Sequence, residues 1–599
     1  MKLRFFILIN FVAISLFSQE MLVPASSLVS QKAEITKSAD TLTLPFFEDF
    51  SVNSNFSKHF VNNDVCISAT QSIKPPSIGA AMFDAVDANF DFYTTYNQSV
   101  RADFLTSKPI NLNLLASDSV YFSFYYEPQG YMDAPEANDS LVLQFFAPNQ
   151  NKWIEVWNTV TDGNITFKQV NIKVEDTAFL QNGFKFRFYN VISMASSQYP
   201  SFVGNCDFWF VDYIYLNKNR TYNDLTHKDI AFQYPVKFKI GDYQQIPYSH
   251  YKNTSDLNHN LYISFRNNDN NIRSIDSMYF VFMDKKHVFG NDTFNIGSSN
   301  FQGNSDLFIS RDNVNFSFPN TQESDLRYDM SIVLKTDFYD STCNNVVHQQ
   351  KSLSTLYAYD DGTAENGYGL YGEGTMYAKV AQKFYTYQTD NITGLQVYMN
   401  KTYNNEQPYY FYLVIWENDP TTGKPGEIIY EQPGLEINHS DLPGLITWQI
   451  DSPVQVTDTF YIGWKKTYTQ LMNIGIDRNS TSNNYKFYNI NGNWLQSSTD
   501  GVIMMRPILG DVQLSGNTEF VQAEYNIYPN PATDYINVEA PLSFYNVFYQ
   551  ISDLTGRIFV SDYLEADKAS IDISSLKPGM YLITLKTKNS FKTYKFVKK

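Results

Sequence analysis

Short runs of β-forming residues, separated by turn residues, are the feature that most limits how this chain can fold. Residues 120–126 and 141–146 are apolar or aromatic almost throughout, and residues 183–188 alternate between aromatic and other side chains. An alternation of two residues places successive side chains on opposite faces of a strand, and these runs do not follow the 3.6-residue period of a helix. Aromatic residues make up 16% of the chain and favour strands. The sequence therefore predicts an all-β fold.

The chain has 599 residues, which is more than one hydrophobic core normally serves. We expect several β-sandwich modules in series, of the jelly-roll and immunoglobulin-like kinds. The predicted segments are a signal peptide at 1–19, a polar leader at 20–40, a jelly-roll β-sandwich at 41–220, an immunoglobulin-like β-sandwich at 224–353, a second β-sandwich at 354–514 and a C-terminal domain at 525–599.

The N-terminal segment has the composition of a secretory signal. Lys2 and Arg4 precede an apolar run at 5–17, and polar residues follow that run. A charged start, a short apolar stretch and a polar exit are typical of signal peptides, and the stretch is too short to cross a bilayer as a helix. No later run approaches twenty apolar residues. We therefore expect an exported protein without a transmembrane segment in its mature chain.

The formal net charge of −17 limits the partners that the chain can have. An acidic surface repels phosphate backbones, so nucleic acid is excluded as an expected partner. Three cysteines without a CxxC pair do not make a zinc or redox motif. Cys66 and Cys206 fall in the first predicted module, where they could form a disulfide or stay as buried thiols.

The C-terminal segment carries several separated motif elements in a fixed order. It opens with Tyr-Pro-Asn-Pro, continues with an Asp-x-x-Gly-Arg turn and has a Gly-x-Tyr element before a basic end. Together these elements resemble the type A C-terminal sorting domain of the type IX secretion system, which is found in Bacteroidota. The residues that carry the resemblance are Tyr528, Pro529, Asn530, Pro531, Asp553, Gly556, Arg557, Gly579 and Tyr581.

That resemblance implies a route and a set of partners. In the family, an outer-membrane translocon reads the domain, and a sortase-like peptidase commonly removes it. The cargo is sometimes joined to surface lipopolysaccharide. We therefore expect a protein that is secreted or lies at the outer-membrane surface.

The first module has a weaker resemblance to MAM-type and carbohydrate-binding jelly rolls, carried by its opening at 44–50 and its close at 207–214. In those folds the first and last strands lie together, and acidic residues there often hold a structural calcium. The resemblance implies calcium ligands at Glu48, Asp49 and Asp212. The alternative is that Glu48 and Asp49 are solvated charges at a strand edge.

A long acidic loop at 128–140 joins two of the strongest predicted strands. Its residues Tyr131, Asp133, Glu136 and Asp139 could bind a ligand or metal, because binding residues concentrate on loops that a rigid scaffold positions. A plain solvated loop is the alternative. Trp494, in an Asn-rich and Gly-containing segment, is the tryptophan least typical of a core and is a candidate platform for a sugar ring.

Motifs for catalysis are missing from the sequence, since neither HExxH nor GxSxG occurs. The leading hypothesis is therefore a non-catalytic surface protein for adhesion or glycan binding. A secreted hydrolase, or an accessory subunit of one, stays open, because paired carboxylates of a glycosidase are recognised only by their separation in space.

Overall fold

The computed structural model describes most of the chain. The described residues are 19–25, 40–51, 53–61, 64–87, 90–194, 200–255, 257–283, 288–312, 314, 318–320, 325–338, 343–405, 410–437, 442–480, 483–510, 526–539, 548–553, 558–564, 568–586 and 591–599. The predicted signal peptide lies outside them, except for Gln19. Within these residues, no helix has the length and apolar character needed to cross a membrane.

The structure confirms the all-β prediction, with antiparallel strands paired into successive sheets. The chain divides into two compact units, Met1–Val512 and Gln513–Lys599. Helical structure is sparse, because the apolar residues follow the two-residue period of strands. The α-helices are α1 (Asn53–His59) and α2 (Tyr248–Asn253). Short 3₁₀ turns lie at Ala116–Asp118, Pro148–Gln150, Pro200–Phe202, Cys343–Asn345, Tyr403–Asn405 and Asn483–Tyr485.

The first module of the larger unit consists of two sheets. The first strand of the chain, β1 (Gln19–Val23), belongs to a sheet of the third module. The strands of the first module are β2 (Phe46–Glu48), β3 (Cys66–Ser68), β4 (Ala80–Phe83), β5 (Ser99–Thr106), β6 (Ile110–Asn111), β7 (Val120–Pro128), β8 (Ser140–Ala147), β9 (Lys152–Val160), β10 (Lys168–Val174), β11 (Asn182–Ser193) and β12 (Trp209–Asn217). One sheet has the order β10-β7-β12-β4-β3, with β2 paired to β12, and the other has the order β5-β11-β8-β9, with β6 paired to β11.

Aromatic side chains from both sheets fill the space between them. The rings of Phe122 in β7 and Phe186 in β11 lie 4.8 Å apart at 63°, which is an edge-to-face contact. Trp209 at the start of β12 and Phe46 in β2 are buried in the same core. The first and last strands of the module lie together, since Glu48 pairs with Ile214.

The second module also has two sheets, of four strands each. Its strands are β13 (Ile230–Phe232), β14 (Lys237–Ile240), β15 (His259–Asn267), β16 (Arg273–Met283), β17 (Val288–Phe301), β18 (Ser305–Arg311), β19 (Leu326–Thr336) and β20 (Val346–Leu353). One sheet has the order β13-β15-β14, with β18 paired to β15, and the other has the order β17-β16-β19-β20.

The third module consists of a seven-stranded and a six-stranded sheet. Its strands are β21 (Asn366–Tyr371), β22 (Lys379–Tyr385), β23 (Asp390–Met399), β24 (Tyr410–Asp419), β25 (Lys424–Glu436), β26 (Gly444–Val456), β27 (Thr459–Lys465), β28 (Ile474–Asp477), β29 (Lys486–Asn489), β30 (Trp494–Gln496), β31 (Val502–Ile503) and β32 (Met505–Leu509). The seven-stranded sheet has the order β1-β21-β28-β23-β26, with β31 paired to β28 and β32 paired to β23. The six-stranded sheet has the order β25-β24-β27-β22-β29-β30.

Strand β1 differs from the sequence prediction of an irregular polar leader at 20–40. Residues 20–23 pair with β21, and the Tyr368 hydroxyl donates a hydrogen bond of 2.6 Å to Glu20 Oε1. The segment is too short to show a strand period by itself, so its pairing with a strand some 350 residues away could not be predicted locally.

The apolar core is continuous from the second module into the third. Tyr243 stacks on Tyr359 with ring centroids 4.4 Å apart, and its hydroxyl donates to the Tyr385 carbonyl. Backbone hydrogen bonds join Gln245 and Ala358 in both directions. These contacts join the second and third modules through one continuous core.

The smaller unit has a core of its own between two antiparallel sheets. Ile536, Ile551, Ile583 and Phe596 are fully buried there. One sheet has the order β33-β34-β37 and the other has the order β36-β35-β38-β39. The strands are β33 (Asn526–Tyr528), β34 (Tyr535–Glu539), β35 (Phe548–Asp553), β36 (Ile558–Tyr563), β37 (Lys568–Asp572), β38 (Gly579–Lys586) and β39 (Phe591–Lys598).

Candidate functional site

The three residues predicted to hold calcium are buried together at the junction of β2 and β12. We call Glu48, Asp49 and Asp212 the strand-edge carboxylates; their exposed fractions are 2%, 6% and 0%. Burial raises the pKa of each carboxyl, and for Asp212 the neighbouring Asp49 adds to the rise. They are therefore not solvated charges.

Protein donors occupy both oxygens of every strand-edge carboxylate. Glu48 accepts from the Phe50 amide and contacts His59 Nδ1 at 2.6 Å. Asp49 accepts from Ser51 at Oδ1 and from Asn344 Nδ2 at Oδ2. Asp212 accepts from the Tyr213 amide at Oδ1 and the Ser77 amide at Oδ2. A calcium ion would have to replace several of these donors, and the donors therefore do not favour the calcium binding that the sequence predicts at this place.

The acidic loop at 128–140 divides its residues between two places. The loop turns at Gly130, whose φ is +59° and where a Cβ would lie 2.4 Å from the Gln71 carbonyl oxygen, so only glycine fits the turn. Tyr131 turns into a pocket shared with the other modules. Asp133, Glu136 and Asp139 instead lie near Asp207, two residues before the start of β12.

The pocket lies where the three modules of the larger unit meet, and we call it the junction pocket. Its volume is about 430 Å³. All three modules contribute residues to its lining, which includes aromatic rings, amides and three lysines. The lining residues are Thr70, Tyr131, Tyr234, Pro235, Val236, Lys237, Lys239, Gln244, Tyr262, Ser264, Phe308, Gln349, Lys351, Asp361, Asn479 and Ser480.

Hydrogen bonds between modules keep the walls of the junction pocket in place. The Tyr234 hydroxyl donates to the Ser72 carbonyl at 3.2 Å and accepts from the Lys74 amide at 2.5 Å. Between the second and third modules, Lys237 Nζ donates to Asn479 Oδ1 at 2.6 Å. The pocket is thus formed by packed strands and their ends, and a ligand would meet it largely preformed.

Trp494 does not present an open ring. It packs edge-on against Trp416 with ring centroids 5.3 Å apart, in a satellite cluster of the third module. The aromatic rings of the junction pocket come from Tyr131, Tyr234, Tyr262 and Phe308. Of these, only Tyr131 was a candidate from sequence, because the other three are unremarkable members of strands or strand ends until the modules come together.

The two cysteines of the first module do not form a disulfide. Cys206 is 7% exposed, and its Sγ lies 4.0 Å from the Ser193 carbonyl oxygen. Burial, followed by the nearby carboxyls, raises the pKa of the Cys206 thiol well above its ordinary value. The sequence left open a disulfide between Cys66 and Cys206 or two thiols, and the structure has two thiols.

The sorting motif of the smaller unit lies at the ends of strands that contact each other. Asn530 follows β33 and fastens it to the last strand, because its Nδ2 donates to the Lys595 carbonyl and its Oδ1 accepts from the Val597 amide, both at 3.0 Å. Tyr528 ends β33, and Pro529 and Pro531 flank Asn530. The opening motif is therefore a clasp between the first and last strands of this unit.

The other motif residues lie around β38. Asp553 ends β35 and pairs with Tyr581, and Gly579 begins β38. The Tyr581 ring stacks on Phe596 at 5.8 Å, while its hydroxyl donates to the Lys577 carbonyl. Gly556 and Arg557, which the sequence places in the same motif, lie outside the described residues.

Comparison with known proteins identifies this smaller unit. Residues 526–599 match the family described as secretion system C-terminal sorting domain. A search of curated proteins finds no matching sequence. Among solved structures, PorZ, an essential bacterial surface component of the type-IX secretion system of Porphyromonas gingivalis, is similar at 8% identity, over 90% of this chain and 86% of that chain, with a TM-score of 0.15. So low a TM-score does not indicate a shared fold.

The family match confirms the sorting domain that the motif elements predicted. The jelly-roll resemblance of the first module has no such match and stays a prediction. The chain thus ends in a secretion system C-terminal sorting domain, and it is a type IX secretion cargo that is secreted or displayed at the cell surface.

Proposed function

We propose that this cargo is a surface protein that binds acidic glycans in the junction pocket. The observation that carries the proposal is the set of three lysines, Lys237, Lys239 and Lys351, beside aromatic rings in a chain whose net charge is −17. A cationic pocket in an acidic surface selects for anionic ligands. A sugar that bears carboxylate or sulfate groups has both an anion and apolar ring faces.

The aromatic side of the pocket suits the apolar face of a sugar ring. Tyr262 and Phe308 stack with centroids 6.4 Å apart at 20°, and Phe308 is 64% exposed. An exposed aromatic ring beside a cavity loses unfavourable contact with water when a ligand covers it. This pair therefore forms a platform at the rim of the pocket.

The cationic side of the pocket suits a carboxylate or sulfate. Lys239 Nζ lies 5.6 Å from the centroid of the Tyr262 ring, which places a charge next to the platform. Burial lowers the pKa of Lys239 and of Lys351, because each ammonium has lost part of its hydration. An anionic ligand would compensate that loss.

A hydrolytic site has less support at the junction pocket. Asp361 is the single acidic residue among the described residues that line it. Its Oδ1 accepts hydrogen bonds from the amide and hydroxyl of Thr363. Glycosidases of the usual kind need two carboxyl groups facing the scissile bond. The hydrolase alternative therefore stays a hypothesis from sequence.

Titration of the full secreted chain with an oligogalacturonide and with its neutral galactose counterpart tests the proposal. We expect the acidic sugar to bind at least about tenfold more tightly than the neutral one and to lose affinity as salt rises. The double variant K239A/K351A should lose about tenfold or more, and F308A a smaller amount. Lys218 and Tyr222 are exposed and do not line the pocket, so K218A and Y222A are the matched controls.

Equal affinity for the two sugars would contradict the proposal, and so would an unchanged affinity in K239A/K351A. An array that presents sulfated, sialylated and uronic-acid glycans extends the test. Silence across all of them would overturn glycan binding for this pocket.

For the export route, we propose that the outer-membrane translocon reads the clasp around Asn530 and that a sortase-like peptidase then removes the tail, with lipopolysaccharide as the attachment point. Deletion of residues 526–599 should leave the cargo in the periplasm. Fractionation of cells that express the two forms measures this, and normal surface display of the shortened chain would contradict it.

A further inference from the structure

Four carboxyl groups meet at one end of the first module, and we call them the loop carboxylates. Asp133, Glu136 and Asp139 lie on the loop between β7 and β8, and Asp207 lies two residues before the start of β12. One ligand atom each from Glu136, Asp139 and Asp207 lies within 4.8 Å of the other two, and the same holds for Asp133, Cys206 and Asp207. The loop carboxylates thus come from two segments of the chain, the loop between β7 and β8 and the residues before β12, which lie about seventy residues apart.

Two of these carboxyl groups are completely buried, and each has one oxygen held and one unmet. Asp139 Oδ2 accepts from the Glu136 amide at 3.0 Å and from the Ser193 hydroxyl at 3.1 Å. Asp207 Oδ2 accepts from the Ser193 amide at 3.0 Å. With the carboxyls ionised, Asp139 Oδ1, Asp207 Oδ1 and Glu136 Oε2 have no donor among the described residues.

Unmet buried acceptors of this kind are costly, because a buried carboxylate without a partner loses its hydration and gains nothing in return. Among the residues that the structure describes, no lysine or arginine forms an ion pair with a loop carboxylate. Burial first, and the Glu136 carboxyl second, raise the pKa of Asp133 to about 7. Burial first, and a carboxyl–carboxyl hydrogen bond to Glu136 second, raise the pKa values of Asp139 and Asp207, so these groups share protons with Glu136 when no cation is bound.

The donor set selects the kind of cation that would meet these oxygens. Carboxylate oxygens are hard ligands, which calcium prefers at 2.3–2.6 Å. Zinc prefers thiolate and imidazole, and Cys206 is the one such side chain in the group. Because burial and the adjacent carboxyls raise the pKa of this thiol, it stays protonated and is a poor metal ligand.

We propose that Glu136, Asp139 and Asp207, supported by Asp133, bind one calcium ion that fastens the loop between β7 and β8 to the start of β12. The ion takes the place of the missing donors, and Ser193 holds the second oxygens of Asp139 and Asp207 in position. This site is separate from the strand-edge carboxylates.

The test uses the full secreted chain after removal of metal with a chelator. Titration with CaCl₂ should show one bound ion, and the thermal midpoint should rise by several degrees at saturating calcium. The variants D139N and D207N should abolish the binding and the rise. D49N, in the other carboxylate group, is the matched control and should still bind one ion.

A second readout separates a metal site from a merely structural cluster. Asp207→Asn removes one of several mutually repelling buried carboxyls, so in the calcium-free protein we expect it to raise the thermal midpoint or leave it unchanged. In saturating calcium the same variant should melt below the wild type. Glu136→Gln is the milder replacement if D207N does not fold, and it should weaken binding by about tenfold or more.

Several outcomes would overturn the proposal. They are the absence of calcium binding at millimolar concentration, binding that survives both D139N and D207N, and binding that D49N alone abolishes. Preference for ZnCl₂ over CaCl₂ in competition would equally contradict it.

Discussion

The strand-edge carboxylates and the loop carboxylates are two buried acidic groups within one module, and they differ in their donors. The first group has a protein donor for each of its six oxygens, supplied by backbone amides and by Ser51, Ser77, His59 and Asn344. The second group has three buried oxygens without one. Burial alone is therefore a poor indicator of a metal site, and unmet acceptors are the better one.

This difference also separates two roles. The donors of the strand-edge carboxylates reach across the fold, since Asn344 Nδ2 contacts Asp49 at 2.8 Å, Tyr213 at 3.1 Å and Asp229 at 3.1 Å. That group joins the first module to the second. The loop carboxylates connect segments of the first module only, and their stability should depend on what the solution supplies.

The largest effect on the first group is expected from His59→Ala. This change leaves Glu48, which is 2% exposed, with one carboxylate oxygen unpaired. Removing one partner of a buried pair typically costs about 3 kcal/mol. Hydrogen exchange measured on peptides that contain residues 46–50 and 209–217 should show a loss of local protection of that order.

His348 provides the control for that variant, because it lies exposed on β20, where its Nδ1 contacts the Ser331 hydroxyl. His348→Ala should change protection little. The H59A loss should be equal with calcium and with chelator. A loss that calcium restores would break the distinction between the two groups.

A smaller effect is expected from Asn344→Ala. The change removes the donor to Asp49 Oδ2 and one donor to Asp229, so two buried carboxyls lose a partner. We expect a loss of about 2 kcal/mol in the same peptides. Protection that stays unchanged would mean that water replaces Asn344 there, and the strand-edge carboxylates would then not need protein donors.

The smallest effect concerns pH and His227, which packs against Phe47 and Tyr213, the sequence neighbours of Glu48 and Asp212. Burial first, and Arg220 second, lower its pKa to about 4, whereas Asp224 opposes them. As the pH falls, His227 therefore takes up a proton near pH 6.5 in the unfolded chain but only near pH 4 in the folded chain. Stability contributed by neutral His227 is complete above pH 6.5 and declines as the pH falls through that window.

Comparison of the wild type with His227→Gln isolates this effect. The wild type should lose about 1 kcal/mol more than the variant between pH 7 and pH 5.5, since one pKa unit corresponds to about 1.4 kcal/mol. Equal pH dependence of the two proteins, followed by hydrogen exchange at 46–50, would contradict the buried neutral His227.

Much of the fold could be predicted because strand patterns are local. The runs at 120–126, 141–146 and 183–188 became β7, β8 and β11, since an alternation of two residues is written directly in the sequence. The sorting motif was also readable, because its turn and strand-end residues lie within one short segment.

The sites were less predictable because they depend on residues far apart in the chain. The loop at 128–140 was a candidate metal loop, but Asp207 was not assigned to it, since only the pairing of β7 with β12 brings them together. Tyr262 and Phe308 line one pocket with Tyr131 only when the modules pack. No local pattern encodes such long-range contacts.

The two carboxylate groups should differ in calcium binding, because the strand-edge carboxylates have a protein donor for every oxygen and the loop carboxylates do not. Anomalous X-ray scattering from a crystal soaked in CaCl₂ tests this most directly. The account predicts a calcium peak among Glu136, Asp139 and Asp207, at about 2.3–2.6 Å from their oxygens, and none at Glu48, Asp49 and Asp212. A peak at the strand-edge carboxylates, or none at the loop carboxylates under saturating calcium, would contradict it.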